Sequence, residues 1–250
     1  MVNTMQQLNE EQLKAFDREY VGDRLSIPIK QCIDRDFPDG QFSFLDLGCG
    51  NGVFADRILA DYPKSRGVGL DNAPSLLSRN KPSDRKRTVL GSVENLKYID
   101  ETKYDLIFFN WLLHHLVSES YAETRRYIDR ALSSATALLS ERGRISIYEN
   151  MYNGLVIDSL ASWITYQLTS VPAIAPFVKK RGANTAGVGV CFLSYSQWCS
   201  TFQRIGLRIL DYTGNELWTI PWSWTVLLHV GQIHCGHFWL VGDHKVTGSR

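Results

Sequence analysis

No stretch of the sequence offers the roughly 20 predominantly apolar residues that a membrane-crossing helix needs. There is no C-x-x-C pair either. The five cysteines, Cys32, Cys49, Cys191, Cys199 and Cys235, are odd in number and widely scattered, which speaks against a zinc or redox site and for reduced thiols. A charge surplus is missing as well: 27 basic and 26 acidic residues leave a net charge of +1, too little for a protein held chiefly by nucleic-acid phosphates. The N-terminal residues MVNTMQQLNEEQLKAFDREY have neither a secretory signal's apolar core nor a transit peptide's basic character, so the expected compartment is the cytoplasm. Internal repeats and low-complexity tracts are also absent.

What is there is ordinary globular material. A hydrophobic content of 44% and a charged content of 21% exclude disorder, and 250 residues suit one elaborated domain. Leu8, Leu13, Phe16 and Tyr20, then Leu25, Ile27, Ile29 and Ile33, have helical spacing on either side of Gly22. Strand-like runs and amphipathic segments then alternate: Ser43 to Leu47, Val53 to Tyr62, Arg66 to Leu70, Ala73 to Arg79, Thr88 to Gly91, Tyr104 to Asn110, a helix from Tyr121 to Leu139, and a strand from Arg144 to Tyr148. Such alternation predicts a parallel sheet with helices on both faces. Ser194 to Ile205 reads as a helix capped by Ser194 and stopped by Gly206, and Leu207 to Tyr212 and His237 to Val241 complete seven strands. The expected fold is α/β: Rossmann-like, doubly wound and mostly parallel. N-terminal cap helices fall in 1–40, a cofactor-binding core in 41–150, a helical lid insertion in 151–192, and the rest of the core in 193–243.

The most informative segment is Phe44-Leu45-Asp46-Leu47-Gly48-Cys49-Gly50-Asn51-Gly52, an apolar strand that enters a glycine-rich turn and then a helix. Glycines at a strand's C-terminal end allow close backbone approach to a ligand across the sheet edge. The dinucleotide fingerprint G-x-G-x-x-G would need glycine where Val53 stands, so plain NAD binding fits poorly. Asp46 just before the first glycine is unfavourable beside a pyrophosphate and favourable beside a cationic amino-acid group. Asp71 ends the next strand about 20 residues on, where a carboxylate accepts hydrogen bonds from ribose hydroxyls.

These residues resemble the first motif, D-x-G-x-G-x-G, of the class I S-adenosylmethionine-dependent methyltransferases, met here by Asp46 to Gly52. The resemblance covers roughly Ser43 to Glu149, with Tyr104 to Asn110 and Leu113-His114-His115-Leu116 similar to the family's fourth strand and following turn. It implies S-adenosyl-L-methionine as cofactor. Gly48, Cys49 and Gly50 would contact its methionine part, Asp71 and Asn72 its ribose, and Ser92 and Val93 its adenine. The Asn110 backbone would lie near its amino group, and Tyr20 and Arg24 near its carboxylate. Ser92 stands where the family often has aspartate, so the adenine contact loses charge assistance unless Glu94 substitutes.

Methyl transfer is a displacement whose leaving group is already good, so positioning supplies much of the catalysis and a base is needed only for a protonated acceptor. His115, His114, Glu149 and Tyr148, at the ends of the fourth and fifth strands, are the candidates; each could equally buttress a turn, cap a helix or pack. His229, His234 and His237 beside Cys235 have no recognised metal-ligand spacing, so no metal is expected. Arg79, Lys81, Arg85, Lys86 and Arg87 read as a solvated basic connection, and Lys179-Lys180-Arg181 as a contact for an acidic acceptor. Six of seven tryptophans lie beyond residue 150, and Leu217 to Gly242 holds no charge, so this half reads as an apolar substrate pocket, extra core or a dimer surface. The favoured function is methyl transfer to an apolar or aromatic small molecule, plausible in natural-product or lipid-like metabolism, by a monomer or homodimer without a nucleic-acid partner. The alternatives are a tRNA or protein methyltransferase and a non-methylating cofactor-binding scaffold or cyclase.

Overall fold

The structure, a computed structural model, describes residues 23–99, 103–176, 180, 185–215 and 217–243. Helix α1 (Asp23–Asp36) precedes an alternation of β1 (Ser43–Leu47), α2 (Val53–Asp61), β2 (Arg66–Asp71), the short α3 (Pro74–Leu77), β3 (Lys86–Leu90) and β4 (Tyr104–Asn110). Then come α4 (Tyr121–Thr136), β5 (Leu139–Gly154), α5 (Asp158–Ser170), α6 (Tyr195–Ile205), β6 (Leu207–Gly214), α7 (Trp222–Leu228) and β7 (Val230–Gly242). The first expected N-terminal helix, with Tyr20, lies outside the described residues.

The seven strands form one sheet in the order β3-β2-β1-β4-β5-β7-β6, parallel except for β7, which runs antiparallel to both neighbours. After β1 the chain winds outward through β2 and β3, then returns to place β4 on the other side of β1. That reversal opens a crevice at the C-terminal ends of β1 and β4, the usual ligand position in such sheets. Both strands are central and covered on both faces, so they are nearly continuous apolar runs rather than alternating ones.

Leu45, Leu47, Ile107, Phe109, Ile145, Ile147 and Phe238 meet Ile128, Leu132, Trp198 and Phe202 of α4 and α6 on one face. Phe44, Phe108, Tyr148 and Trp239 meet Ile29 and Ile33 of α1 and Phe54 and Ile58 of α2 on the other. Trp198 and Trp239 are therefore core residues on opposite faces, so for these two the extra-core reading is the one the structure bears out. The expected capping of α6 is present: the Ser194 hydroxyl accepts from Gln197 N, and Gly206 closes the helix in the left-handed region.

Strand boundaries differ from expectation most at β5, which already begins at Leu139 rather than Arg144, and at β7. β5 continues through Met151 to Gly154, and β7 begins at Val230 rather than His237, with the two paired along this whole extension. The insertion therefore starts on the sheet, because the ladder supplies backbone partners that the mixed side chains of Glu149 to Gly154 and Gly231 to His237 do not advertise.

Candidate active site

The glycine loop leaves β1 with Gly48, Gly50 and Gly52 all at positive φ (72°, 53° and 79°). The three are not equivalent. A Cβ on Gly52 would lie 1.8 Å from Asn80 Oδ1, and one on Gly48 would lie 2.8 Å from Leu112 Cδ1, whereas one on Gly50 meets nothing within 4 Å. Gly52 and Gly48 are thus fixed by the protein's own packing, and Gly50 faces open space. The Cys49 side chain points back into the sheet, where it would block any Cβ on Gly69, so this residue reaches the crevice only through its backbone. Burial pushes its thiol upward.

Asp71 holds the loop from β2. Its Oδ2 accepts from Gly50 N at 2.8 Å and its Oδ1 from Ala73 N at 2.8 Å. Burial raises its carboxyl, and the amides of Ala73, Gly50 and Asn72 oppose that rise. Gly91 N donates to Asp71 O, which brings Ser92 and the buried Val93 to the same edge; the Ser92 hydroxyl caps the following turn at Glu94 N. Asn72 is exposed beside them. Because both Asp71 oxygens accept from N–H groups, Asp71→Asn would turn an amide donor toward one of them. Asp71→Ala and Asp71→Asn should each weaken S-adenosylhomocysteine binding by about 1 to 3 kcal/mol, read by calorimetry; near-wild-type affinity in the asparagine variant would contradict this geometry.

Asp46 is only 2% exposed, and its Oδ2 has no hydrogen-bond partner. Burial first, and then the nearby Asp71 carboxylate, push its carboxyl up to about 8, against the pull of Lys86. Across the crevice, both polar atoms of the Asn110 side chain are buried without partners. A buried acceptor, a buried amide and an open glycine are the features expected where a ligand with a cationic amino group completes the bonding. They fit the amino-acid part of S-adenosylmethionine.

Three residues of this site escaped the sequence. The amide of Asn80 donates to Gly50 O at 2.9 Å. The Lys86 ammonium is buried beneath the loop and paired with Asp56 at 2.5 Å. Trp111, immediately after Asn110, sits at φ 49°, held by its indole N–H on Asn150 Oδ1 (3.1 Å) and an edge-to-face contact with Tyr148. The basic connection is accordingly corrected: Arg85 bonds the carbonyls of Leu59, Tyr62 and Ser65 at the end of α2, and Lys86 is internal. Partners about 20 to 30 positions away leave no local signal of this. Lys86→Met should destabilise the protein by about 3 kcal/mol, because it leaves Asp56 without its buried partner; an unchanged melting temperature would reject that role.

The turn after β4 brings the acid–base candidates together. Glu149 is fully buried; its Oε1 accepts from Leu113 N at 2.7 Å and its Oε2 lies 2.6 Å from His114 Nδ1. The same turn packs Leu112 against Gly48, so the His114–Glu149 pair adjoins the glycine loop. Phe192 lies against His114 on one side and stacks on Tyr152 on the other, at centroid separations of 4.7 and 4.3 Å. His115 is beside His114, and burial together with that neighbour holds its imidazole well below the usual range. Tyr148 does not join this group. Strand alternation places it on the opposite face from Glu149, where Asn215 donates to its hydroxyl. Only the backbone position of Arg24, within α1, is described.

The methyltransferase-domain family model matches residues 45–145, the segment running from within β1 into β5. Over that segment, about two fifths of the chain, the protein is similar to methyltransferase domains. Malonyl-[acyl-carrier protein] O-methyltransferase 1 of Ilyobacter polytropus is 36% identical over 92 residues, 31% of this chain and 34% of the relative. O-methyltransferase sirM of Leptosphaeria maculans is 30% identical over 102 residues, 37% of this chain and 24% of the relative. The chain thus spans about a third or less of the length of these curated relatives. An O-methyltransferase family protein of Burkholderia thailandensis shares the fold at TM-score 0.54 and 15% identity, covering 90% of this chain and 58% of its own. An arsenic(III) S-adenosylmethionine methyltransferase of Chlamydomonas reinhardtii shares it at TM-score 0.53 and 16% identity, covering 84% and 65%. No group of three or more His, Cys, Asp or Glu side chains among the described residues could hold a metal ion. His237 bonds Ser146, His234 bonds Tyr212, and His229 accepts from the backbone N–H groups of Val156 and Ile157.

Proposed function

We infer that the protein transfers the methyl group of S-adenosylmethionine to a protonated acceptor, a hydroxyl on an apolar or aromatic small molecule. The buried His114–Glu149 pair beside the glycine loop carries this reading. Glu149 bonds Nδ1, so the proton of that nitrogen is held there and Nε2 is left as the base; the carboxylate also stabilises the imidazolium formed when the acceptor loses its proton. Gly50, Asp71, Asp46 and Asn110 would hold the cofactor, which when bound supplies an electrophilic methyl on a good leaving group. The remaining task is alignment, for which His114 is braced by Phe192 and the Leu113–Glu149 bond.

The lid is part of the proposal. Helix α5 returns the chain so that Cys191 N donates to His114 O, and Phe192 follows directly. The charge-poor, aromatic character of this half suits an apolar acceptor. Lys179 and Arg181, candidates for an acidic acceptor, lie outside the described residues.

Labelled S-adenosylmethionine incubated with hydrophobic phenols, alcohols, carboxylic acids and amines, an acyl-carrier-protein thioester and bulk tRNA tests the function. Label is expected in a hydrophobic hydroxyl compound. Label confined to tRNA or protein overturns the reading, and tight cofactor binding with no labelled product supports the non-methylating scaffold.

A further inference from the structure

Beyond Tyr152 the fifth strand ends in an apolar promontory with no role in the site. Leu155, Val156 and Ile157 form a loop tip, with Val156 81% exposed. Their backbone is pinned to the residue after α7: Leu155 N donates to His229 O, and Val156 N and Ile157 N both reach His229 Nε2. On α7 itself Trp222 is 79% exposed, and Val226 and Leu227 also face solvent. His229 thus joins two apolar projections into one surface of six large side chains.

We propose that this promontory docks the protein on a phospholipid bilayer surface. The first argument is chemical. Leu217 to Gly242 contains no charged residue, and the one charge between Gly154 and Pro176, Asp158, is engaged by Gly154 N and Ser196. Protein–protein interfaces surround their apolar cores with polar and arginine contacts, whereas elements that settle at the lipid–water boundary combine aliphatic side chains with tryptophan. The second is exposure: a loop tip and one side of a helix present these apolar side chains to solvent, where they can enter between head groups. The third is continuity. One strand links the promontory to Glu149, six residues before Leu155, or roughly 20 Å at strand spacing. A docked protein would then hold its reaction centre within reach of an acceptor dissolved in the bilayer. Only this third argument rests on the apolar acceptor proposed above.

Without charge at the contact, association should be as strong on zwitterionic as on anionic vesicles and should resist salt. The full chain is sedimented with phosphatidylcholine vesicles, without acceptor, in low and high salt. Co-sedimentation in both is expected, and Val156→Asp with Trp222→Ser should weaken it at least about tenfold, the scale of two lost apolar burials. The melting temperature and S-adenosylhomocysteine affinity of the double variant should stay near wild type, which separates lost docking from lost fold. No sedimentation of the wild type, release by salt, or equal binding by the variant overturns the proposal. So does a dimer in light scattering that the same substitutions dissociate, which would make a second copy the occupant. Any of these results leaves the label-transfer outcome standing.

Discussion

Replacing His114 by alanine should lower turnover by about 10²- to 10⁴-fold, the contribution of a positioned general base. Affinity for S-adenosylhomocysteine should be nearly unchanged, because the proposed cofactor contacts fall on the glycine loop, Asp46, Asp71 and Asn110. Glu149→Gln should cost a comparable factor by another route. Its carbonyl oxygen can still accept from Leu113 N, but its amide then presents N–H to His114 Nδ1, forcing the proton onto Nε2 and removing the base. Steady-state kinetics with the acceptor found by label transfer would read both effects as losses in kcat/KM. His115→Ala is the discriminating control. His115 makes no part of the Glu149 pair, so turnover should fall by less than about tenfold unless the melting temperature falls too. A large loss with intact stability would move the base to His115.

Asp46→Asn should make the protein more stable and the cofactor site weaker. A carboxyl raised to about 8 means that the fold disfavours its ionised form. The sign follows from linkage: the penalty is absent below the unfolded value near 4, grows as pH rises, and is complete above about 8. Asparagine, shaped like the protonated acid, carries no such penalty. The melting temperature of the variant should therefore exceed that of the wild type by a margin that widens from about pH 4 to pH 8, reaching several degrees for a stabilisation of about 2 kcal/mol or more. The ligand's ammonium group reverses the preference, because it is attracted to the carboxylate. Wild-type affinity for S-adenosylhomocysteine should fall as pH drops below about 8, by up to roughly tenfold per unit, and the variant should lose both affinity and this pH dependence. Calorimetry across that range, with melting curves in the same buffers, tests both halves. A pH-independent stability difference would show that another group titrates.

Asp46, proposed to bind the cofactor, would thus strain the protein on its own, a trade of stability for function common at binding sites. Lys86 moderates it. Its ammonium lies beneath the glycine loop and offsets part of the charge of Asp46, while its own partner is Asp56. Trp111 shows the same logic in the backbone. A bulky residue at φ 49° is costly, and its indole hydrogen bond and ring contact hold it there, directly after the partnerless Asn110 side chain.

The β1–glycine loop–α2 unit, Asp71 at the end of β2, the β4 strand and the Ser194 and Gly206 caps were all legible in the chain. Each is local: a buried central strand is one apolar run, a loop that approaches a ligand needs glycine at positive φ, and a helix end needs its cap within three or four positions. Tertiary structure alone decided which histidine meets Glu149, that Tyr148 turns to the opposite face, that Asn80, Arg85 and Lys86 brace the loop and α2, and that β5 and β7 extend together. These depend on partners far apart in sequence, whose hydrogen bonds and charges leave no periodicity behind, so only the assembled sheet, by bringing them within bonding distance, determines them.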